Sequence, residues 1–229
     1  MQDVRADIQG LWRFVSRHHP PGASGRSIMF VAARCGEGTS SVAASFALLA
    51  ARKSERVTWL VDLDFARNEA FGAFQAGFAD DVGRPGKVFD ASLRQKQIYA
   101  LRSAKGMREA RLLTVNEIPN QRLLVTRFRN AHLVEDEEVR FRVSPDWWAA
   151  LRKSSDWAVV DAPALEVSTS GLVMAPQQDG IILVVEADRT GPNHIAMAKR
   201  EIAASGGYLL GAVINKVGRD ITFLEASAL

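Results

Sequence analysis

The 229-residue sequence contains a single cysteine, Cys35, which excludes an internal disulfide framework. Chains without disulfides are typical of reducing compartments. Long apolar runs are missing as well: residues 42–51, the longest run, are interrupted by Ser45 and reach only about half of the roughly 20 residues that a membrane-spanning helix needs. Residues 1–19 contain no continuous apolar core of the kind found in secretion signals. Together these absences predict a cytoplasmic protein.

Neither sign of charge dominates the sequence. Lys and Arg number 29 against 26 Asp and Glu, and the formal net charge is +3. A small basic excess is common on solvated surfaces and does not by itself indicate nucleic-acid binding, so we expect no nucleic-acid partner. The apolar content of 47% at this length predicts one compact domain over residues 1–229.

Strand-like and helical patterns begin at the N-terminus. Apolar residues recur at helical spacing between Ile8 and Val15 and predict an amphipathic helix over residues 2–18, whose apolar face belongs either to the core or to a docking surface for a partner. Residues 18–22 form a breaker cluster that ends this helix. Short, nearly all-apolar segments then predict buried strands at residues 27–33 and 57–62.

Regular alternation of helices and strands returns after residue 144, whereas residues 69–143 form a divergent middle segment with two strand-like runs. The later predicted elements, in chain order, are helix 145–154, strand 157–162, a helix near 170–175, strand 180–188, helix 193–205 and strand 209–217. This alternation is typical of an α/β fold in which helices sandwich a parallel sheet.

The stretch GEGTSS, residues 36–41, follows the first predicted strand and opens a helix. Unpaired backbone N–H groups and the positive end of the helix dipole can bind phosphate at such a place. Gly36 and Gly38 allow the backbone to approach closely. In the P-loop pattern a lysine then reaches the β- and γ-phosphates and the next hydroxyl binds Mg²⁺, and here those positions are Thr39 and Ser40. The alternative is a glycine turn with only a structural role.

Acidic residues follow two of the predicted strands. Asp62 and Asp64 lie at the end of one strand, and Asp161 lies at the end of another. An aspartate at a strand end can be merely a turn or helix cap. Ligands of open α/β sheets, however, bind outside the carboxyl ends of the strands, so we expect these acids and the glycine loop to meet in one crevice.

The succession of GEGTSS, LVDLDFARN, VVDAPA, DGIILVVEADRT and LLGAVINKV resembles the bacterial tyrosine kinases, a family of P-loop ATPases related to the MinD-like cell-division and partitioning ATPases. The resemblance covers about residues 1–217 and is thin across 69–143. It implies a P-loop NTPase fold, ATP and Mg²⁺ as cofactors, and partnership with a membrane polysaccharide co-polymerase in capsule or exopolysaccharide assembly. It also implies a location at the inner face of the plasma membrane, reached through that partner.

Position by position, the resemblance implies three sets of site residues. The metal site comprises Ser40, Asp62 and Asp161, and Asp64 is the catalytic candidate. The nucleotide-binding set comprises Arg34, Gly36, Glu37, Gly38, Thr39, Ser40, Ser41 and Asn215. Asn215 falls where relatives contact adenine. Arg34 takes the place of a lysine that in many relatives reaches across a dimer, although it is alternatively a solvated side chain.

Three departures from the family bear on activity. Thr39 stands where the family has its phosphate-binding lysine, the two tyrosines lie outside the C-terminal segment 220–229, and the family's N-terminal oligomerisation motif is absent, which leaves self-association open. Loss of one well-placed charged donor costs on the order of 10²–10³ in rate, whereas binding suffers less. Our leading hypothesis is therefore a kinase-like partner without kinase activity. The alternatives are an active kinase or ATPase with a substituted lysine and, less favoured, a positioning ATPase.

Overall fold

The computed structural model describes residues 1–18, 24–217 and 220–226. Most of the predicted breaker cluster at residues 18–22 lies outside the described residues, as do the last three residues of the chain. Within the described part, no helix combines the length and the apolar character needed to cross a bilayer.

The described residues form six α-helices and twelve β-strands. The helices are α1 Gln9–Arg17, α2 Thr39–Lys53, α3 Glu69–Ala76, α4 Pro145–Ser154, α5 Ser170–Met174 and α6 Pro192–Ala204. The strands are β1 Arg26–Ala32, β2 Thr58–Asp62, β3 Val88–Asp90, β4 Tyr99–Ser103, β5 Gly106–Arg108, β6 Leu113–Ile118, β7 Leu123–Phe128, β8 Glu138–Phe141, β9 Trp157–Asp161, β10 Gly180–Glu186, β11 Leu209–Val217 and β12 Asp220–Glu225. The helices and strands predicted after residue 144 are thereby confirmed.

Nine strands form the central sheet in the order β12-β11-β10-β1-β9-β2-β7-β6-β3. Neighbouring strands from β11 to β7 run parallel. The edges are antiparallel, with β12 on one side and the β7-β6-β3 pairs on the other. The predicted α/β fold with a sandwiched sheet is confirmed, and the antiparallel edges are an addition that the alternation pattern did not indicate.

Each face of the sheet has its own apolar core, which explains why the central strands are apolar throughout. Along β1, Ile28 and Phe30 face the core formed with α1, α2 and α3. Met29 and Val31 point to the opposite face and join the core formed with α4, α5 and α6. Both sides of the strand are therefore buried, and the crevice at its carboxyl end rests on a rigid layer.

The predicted N-terminal helix is too long at its start, because α1 begins at Gln9 and not at residue 2. The Gln2 N–H donates to Ser41 Oγ and the Val4 N–H donates to Ser45 Oγ, each at 2.9 Å. These tertiary hydrogen bonds replace those that a longer helix would make. The first residues consequently lie along α2.

The apolar face of α1 belongs to the core. Leu11 and Val15 are buried, and Ile8 just before the helix is buried with them. Trp12 packs its ring 5.3 Å from that of Phe46 in α2. Of the two interpretations offered by the sequence, this arrangement supports the core and removes the apolar face from the candidates for partner docking.

The middle segment 69–143 carries most of the unpredicted structure. Its two strand-like runs form the antiparallel hairpin β6–β7. Strands β5, β4 and β8 form a separate three-stranded antiparallel sheet, which the sequence did not predict. Phe65 joins the two sheets, since its ring stacks on Phe128 of β7 at 4.5 Å and meets Tyr99 of β4 edge-on at 5.6 Å. The assignment of residues 1–229 to one domain stays a prediction.

The aromatic cluster around α2 yields a stability prediction. Phe46 is fully buried and packs against Trp12, Phe30 and Trp157. Phe46→Ala should lower the free energy of unfolding by about 3–5 kcal/mol, because it removes apolar contacts and leaves a cavity. Urea denaturation followed by circular dichroism measures the change.

Phe89→Ala is the matched control for this prediction. Phe89 lies on the edge strand β3 and is 49% exposed, so its truncation should change the free energy of unfolding by about 0.5 kcal/mol or less. Equal losses in the two variants would show that the ring cluster on α2 is not packed as described.

Candidate functional site

The loop between β1 and α2 has the backbone shape of a phosphate-binding loop. Gly36 and Gly38 adopt the left-handed conformation, with φ of 82° and 89°. Gly38 immediately precedes α2, and a side chain built on it would collide with the Asn215 amide. Both the backbone conformation and the space around it therefore require glycine at position 38.

Two buried side chains support the loop. Glu37 is 1% exposed, and its carboxylate accepts hydrogen bonds from the Arg34 N–H at 2.9 Å and from the Thr190 hydroxyl. Asn215, at the end of β11, donates from Nδ2 to the Glu37 carbonyl at 2.8 Å. The structure thus makes Glu37 and Asn215 part of the loop's framework, and their contact with a nucleotide stays a prediction.

The first turn of α2 faces the crevice with its backbone N–H groups. Among the described residues no side chain caps this end of the helix, so the N–H groups and the helix dipole are available to an anion. Thr39, Ser40 and Ser41 all line the crevice, which has a volume of about 350 Å³. Thr39 is only 9% exposed. Ser41 Oγ accepts the hydrogen bond from the Gln2 N–H.

Asp62 and Asp161 lie side by side below this helix end. They are partners in the register between β2 and β9, and each is 3% exposed. Asp62 accepts hydrogen bonds from the Asp64 N–H at 2.8 Å and the Ala70 N–H at 3.0 Å. The Oδ1 atom of Asp161 is buried without a hydrogen-bond partner among the described residues. The fold therefore brings the three acids and the glycine loop into one crevice, as the sequence predicted.

Burial controls the protonation of this pair. Removal from water raises the pKa of Asp62 to about 7, against hydrogen bonds from two backbone N–H groups that lower it. Burial also raises the pKa of Asp161 well above its usual range, the nearby Asp62 charge adds to the increase, and interaction with the Ser40 hydroxyl opposes it. Burial and mutual repulsion therefore both oppose the charging of the two neighbouring carboxylates.

These residues fit a hard divalent cation. The unpartnered Asp161 oxygen and the adjacent Ser40 hydroxyl are oxygen donors of the kind that Mg²⁺ prefers. The described residues contain no group of three or more acidic, histidine or cysteine side chains that would enclose a metal on its own. Mg²⁺ usually keeps waters and shares its shell with substrate phosphates, so an incomplete protein shell is what a nucleotide site requires.

Asp64 lies at the rim of the crevice and is less buried than the other two acids. Its carboxylate accepts a hydrogen bond from the Arg67 N–H at 3.1 Å, and the Arg67 guanidinium lies 3.7 Å from it. The crevice lining includes Asp64 and Arg67 together with Asp62 and Asp161. A role of Asp64 in catalysis stays a prediction.

The cations around the loop each face a carboxylate. Arg34 lies 3.8 Å from Glu166, while Lys216 lies 3.1 Å from Glu186. Lys216 also donates from Nζ to the Gly36 carbonyl at 2.8 Å. Both side chains therefore neutralise surface acids, and the hydrogen bond from Lys216 also stabilises the loop.

Sequence reasoning missed Thr190 and Lys216 as supports of the loop. They are separated from their loop partners by 153 and 180 residues, so no short motif connects them. A signal did exist for Lys216, because it directly follows the predicted Asn215 at the end of a strand of the parallel array.

No protein-family model matches the chain. The tyrosine-protein kinase CpsD of Streptococcus agalactiae serotype III is 31% identical over 72 residues, which span 31% of this chain and 31% of CpsD. The tyrosine-protein kinase YwqD of Bacillus subtilis is 24% identical over 190 residues, covering 83% of this chain and 72% of that protein. The match to CpsD thus spans about a third of its length, whereas the match to YwqD covers most of both chains.

Solved structures share the fold at low identity. The VpsO kinase domain superposes with a TM-score of 0.60 and 16% identity, covering 93% of this chain and 94% of that domain. The septum site-determining protein MinD of Pyrococcus horikoshii, solved with Mg-ADP, gives a TM-score of 0.59 and 15% identity over 89% of this chain and 75% of MinD. In sequence the chain is thus similar to bacterial tyrosine kinases, and it shares the fold of a kinase domain and of a MinD-type ATPase.

Proposed function

We propose that the protein is a nucleotide-binding, kinase-like partner of a membrane polysaccharide co-polymerase, and that it has no tyrosine kinase activity. The observation that carries this proposal is a loop with the shape, the helix end and the buried acids of a P-loop site in which Thr39 occupies the lysine position. In this proposal the protein is cytoplasmic, lies at the inner face of the plasma membrane through its partner, and acts in exopolysaccharide or capsule biosynthesis.

Nucleotide binding needs little beyond what the crevice offers. Backbone N–H groups at the start of α2 would hold the phosphates, and Ser40 and Asp161 would hold Mg²⁺, with Asp62 behind them. When bound, Mg²⁺ would neutralise phosphate charge and offset the mutual repulsion of the two buried carboxylates. One absent charge-assisted hydrogen bond weakens binding by about 1.5–3 kcal/mol, which leaves room for weak affinity.

Phosphoryl transfer suffers more from the absence of lysine than binding does. Transfer depends on positioning the γ-phosphate and neutralising the charge that develops on it. Basic side chains flank the loop, and each is held by an acid: Arg34 by Glu166, and Lys216 and Arg189 by Glu186. An active enzyme with a substituted lysine, the alternative function, would need one of them to leave its partner.

The tyrosines also argue against autophosphorylation. Tyr99 is fully buried, and its hydroxyl donates to the Ala110 carbonyl at 2.8 Å and accepts from the Leu112 N–H at 2.6 Å. Tyr208 is 65% exposed but stands alone before β11.

Introducing a lysine at position 39 tests whether the loop between β1 and α2 binds phosphate. Thr39→Lys should strengthen ATP·Mg²⁺ binding by about 1.5–3 kcal/mol, roughly ten- to a hundredfold in Kd, since an ammonium would meet phosphate charge in a partly buried loop. Titration calorimetry measures the Kd of ATP·Mg²⁺ for the parent protein and for Thr39→Lys.

Two further variants make this comparison specific. Ala203→Lys adds the same charge on the exposed side of α6 and should leave the affinity unchanged. Gly38→Ala in the Thr39→Lys background should lose the gained affinity. The backbone at position 38 is left-handed, and the added methyl group would collide with the Asn215 amide. Absence of binding to both the parent and Thr39→Lys would mean that the loop is only a structural turn.

Kinase activity is tested on the purified protein. After incubation with ATP and Mg²⁺, intact-mass spectrometry should show no added phosphate on tyrosine, because Tyr99 is buried and Thr39 replaces the lysine. Tyr208→Phe provides the reference for any signal at the exposed tyrosine. Phosphotyrosine at Tyr208 of the parent protein would instead support the active-enzyme alternative.

The partnership rests on what the family resemblance implies, and it is tested in membranes. A tagged form of the full chain should co-purify with the co-polymerase encoded in the same genome after mild detergent extraction. The same extraction from a strain without the co-polymerase gene should leave the tagged protein in the soluble fraction. Equal recovery in the membrane fraction of both strains would overturn the proposed partner.

A further inference from the structure

A second cavity, of about 770 Å³, lies between α3 and the antiparallel end of the central sheet. Helix α3 has only eight residues, so it covers the sheet near β2 and β7 and leaves the surface of β6 open. Thr114 and Asn116 of β6 and Arg127 of β7 line the cavity from the sheet side, with Phe71 and Gln75 of α3 on the other side. Its size falls within the about 300–1,000 Å³ typical of small-molecule sites.

The cavity is basic. Its lining includes Arg67, Arg127 and Arg129, and no aspartate or glutamate among the described residues. Of these arginines, Arg67 is paired with Asp64 and Glu69. A concave surface lined by one sign of charge attracts ligands of the opposite sign. Arginine also matches the oxygen geometry of phosphate, because its planar guanidinium can donate two parallel hydrogen bonds. The lining therefore favours a phosphate group over a neutral ligand.

Neighbouring groups restrict the basic side chains. The Arg127 guanidinium lies over the Phe71 ring, 4.7 Å from its centroid. Arg129 is hydrogen-bonded to His132. Such contacts reduce the number of conformations that the arginines lose on binding a ligand.

The rim beside these arginines is fixed by amide side chains. Asn68 donates from Nδ2 to the Asn130 side-chain oxygen at 3.0 Å, and its own oxygen accepts from the Phe128 N–H at 2.6 Å. Asn130 in turn donates to the Ala66 carbonyl at 2.7 Å. The segment that carries Arg129 is consequently tied to the loop that leads into α3.

A buried amide at the sheet side adds an independent indication of a ligand. Asn116 is 3% exposed, and its Oδ1 atom has no hydrogen-bond partner among the described residues. An acceptor left in this state costs free energy unless a donor reaches it. The oxygen is covered in the structure, but Asn116 lines the cavity, so a rotation of its side chain on binding would bring the oxygen to a ligand hydroxyl that can supply that donor.

We propose that this cavity binds a small phosphomonoester whose body carries hydroxyl groups, of the size of a sugar phosphate. The phosphate lies between Arg127 and Arg129, and a hydroxyl donates to Asn116. The site is separate from the loop at α2, although Arg67 lies between the two cavities and lines both. The proposal does not depend on nucleotide binding at the loop.

Titration calorimetry with simple probes tests the ligand chemistry. Glucose 1-phosphate should bind more tightly than inorganic phosphate, and glucose should show no binding, because both the phosphate and the hydroxyls contribute. Phenyl phosphate, which has no hydroxyl on its ring, should bind no better than inorganic phosphate. Tighter binding of phenyl phosphate would overturn the assignment and point to a phosphotyrosine side chain.

Variants test the location. Arg127→Gln and Arg129→Gln should each weaken glucose 1-phosphate binding at least tenfold, whereas Arg111→Gln should not, because the Arg111 side chain is 77% exposed and lies outside the cavity. Asn116→Leu should remove the preference for glucose 1-phosphate over inorganic phosphate. These arginines are exposed, so circular dichroism should show unchanged folding. Unchanged affinity in both arginine variants would overturn the proposed site, whatever the outcome at the loop.

Discussion

The hydrogen bond from Asn215 to the Glu37 carbonyl is the contact on which the candidate site depends. It joins the last strand of the parallel array to the loop between β1 and α2, two parts of the chain that are 178 residues apart. Gly38 is necessary because the Asn215 amide occupies the space beside it. The buried Glu37 carboxylate completes the support through Thr190, so the loop takes its shape from three strand ends.

The charges of the crevice are arranged for a cation that the chain does not itself supply. Asp62 and Asp161 are buried next to each other, and their raised pKa values reflect the cost of charging both. In the P-loop pattern a lysine and Mg²⁺ together offset phosphate and carboxylate charge. Here Thr39 supplies no positive charge, while basic side chains outside the loop are paired with Glu166 and Glu186. In the function proposed above, such a site holds a nucleotide better than it transfers the phosphate.

The divergent segment 69–143 extends the fold. Antiparallel strands lengthen the central sheet beyond β7, and the small sheet of β4, β5 and β8 packs on it through Phe65, Tyr99 and Phe128. The extension is wider than the short helix α3 that covers it. That mismatch creates the basic cavity lined by Asn116 and Arg127, next to the loop but distinct from it.

The sequence by itself determined the elements whose signals are local. Strand β1, the glycines at 36 and 38 and the acids at strand ends were identifiable because periodicity, backbone freedom and motif spacing act over a few residues. Only the tertiary structure decided the start of α1, where Gln2 and Val4 donate to α2, and the antiparallel edges of the sheet. It also decided the environment of Asp161 and the support from Thr190, since burial and contacts between distant strand ends leave no trace in local spacing.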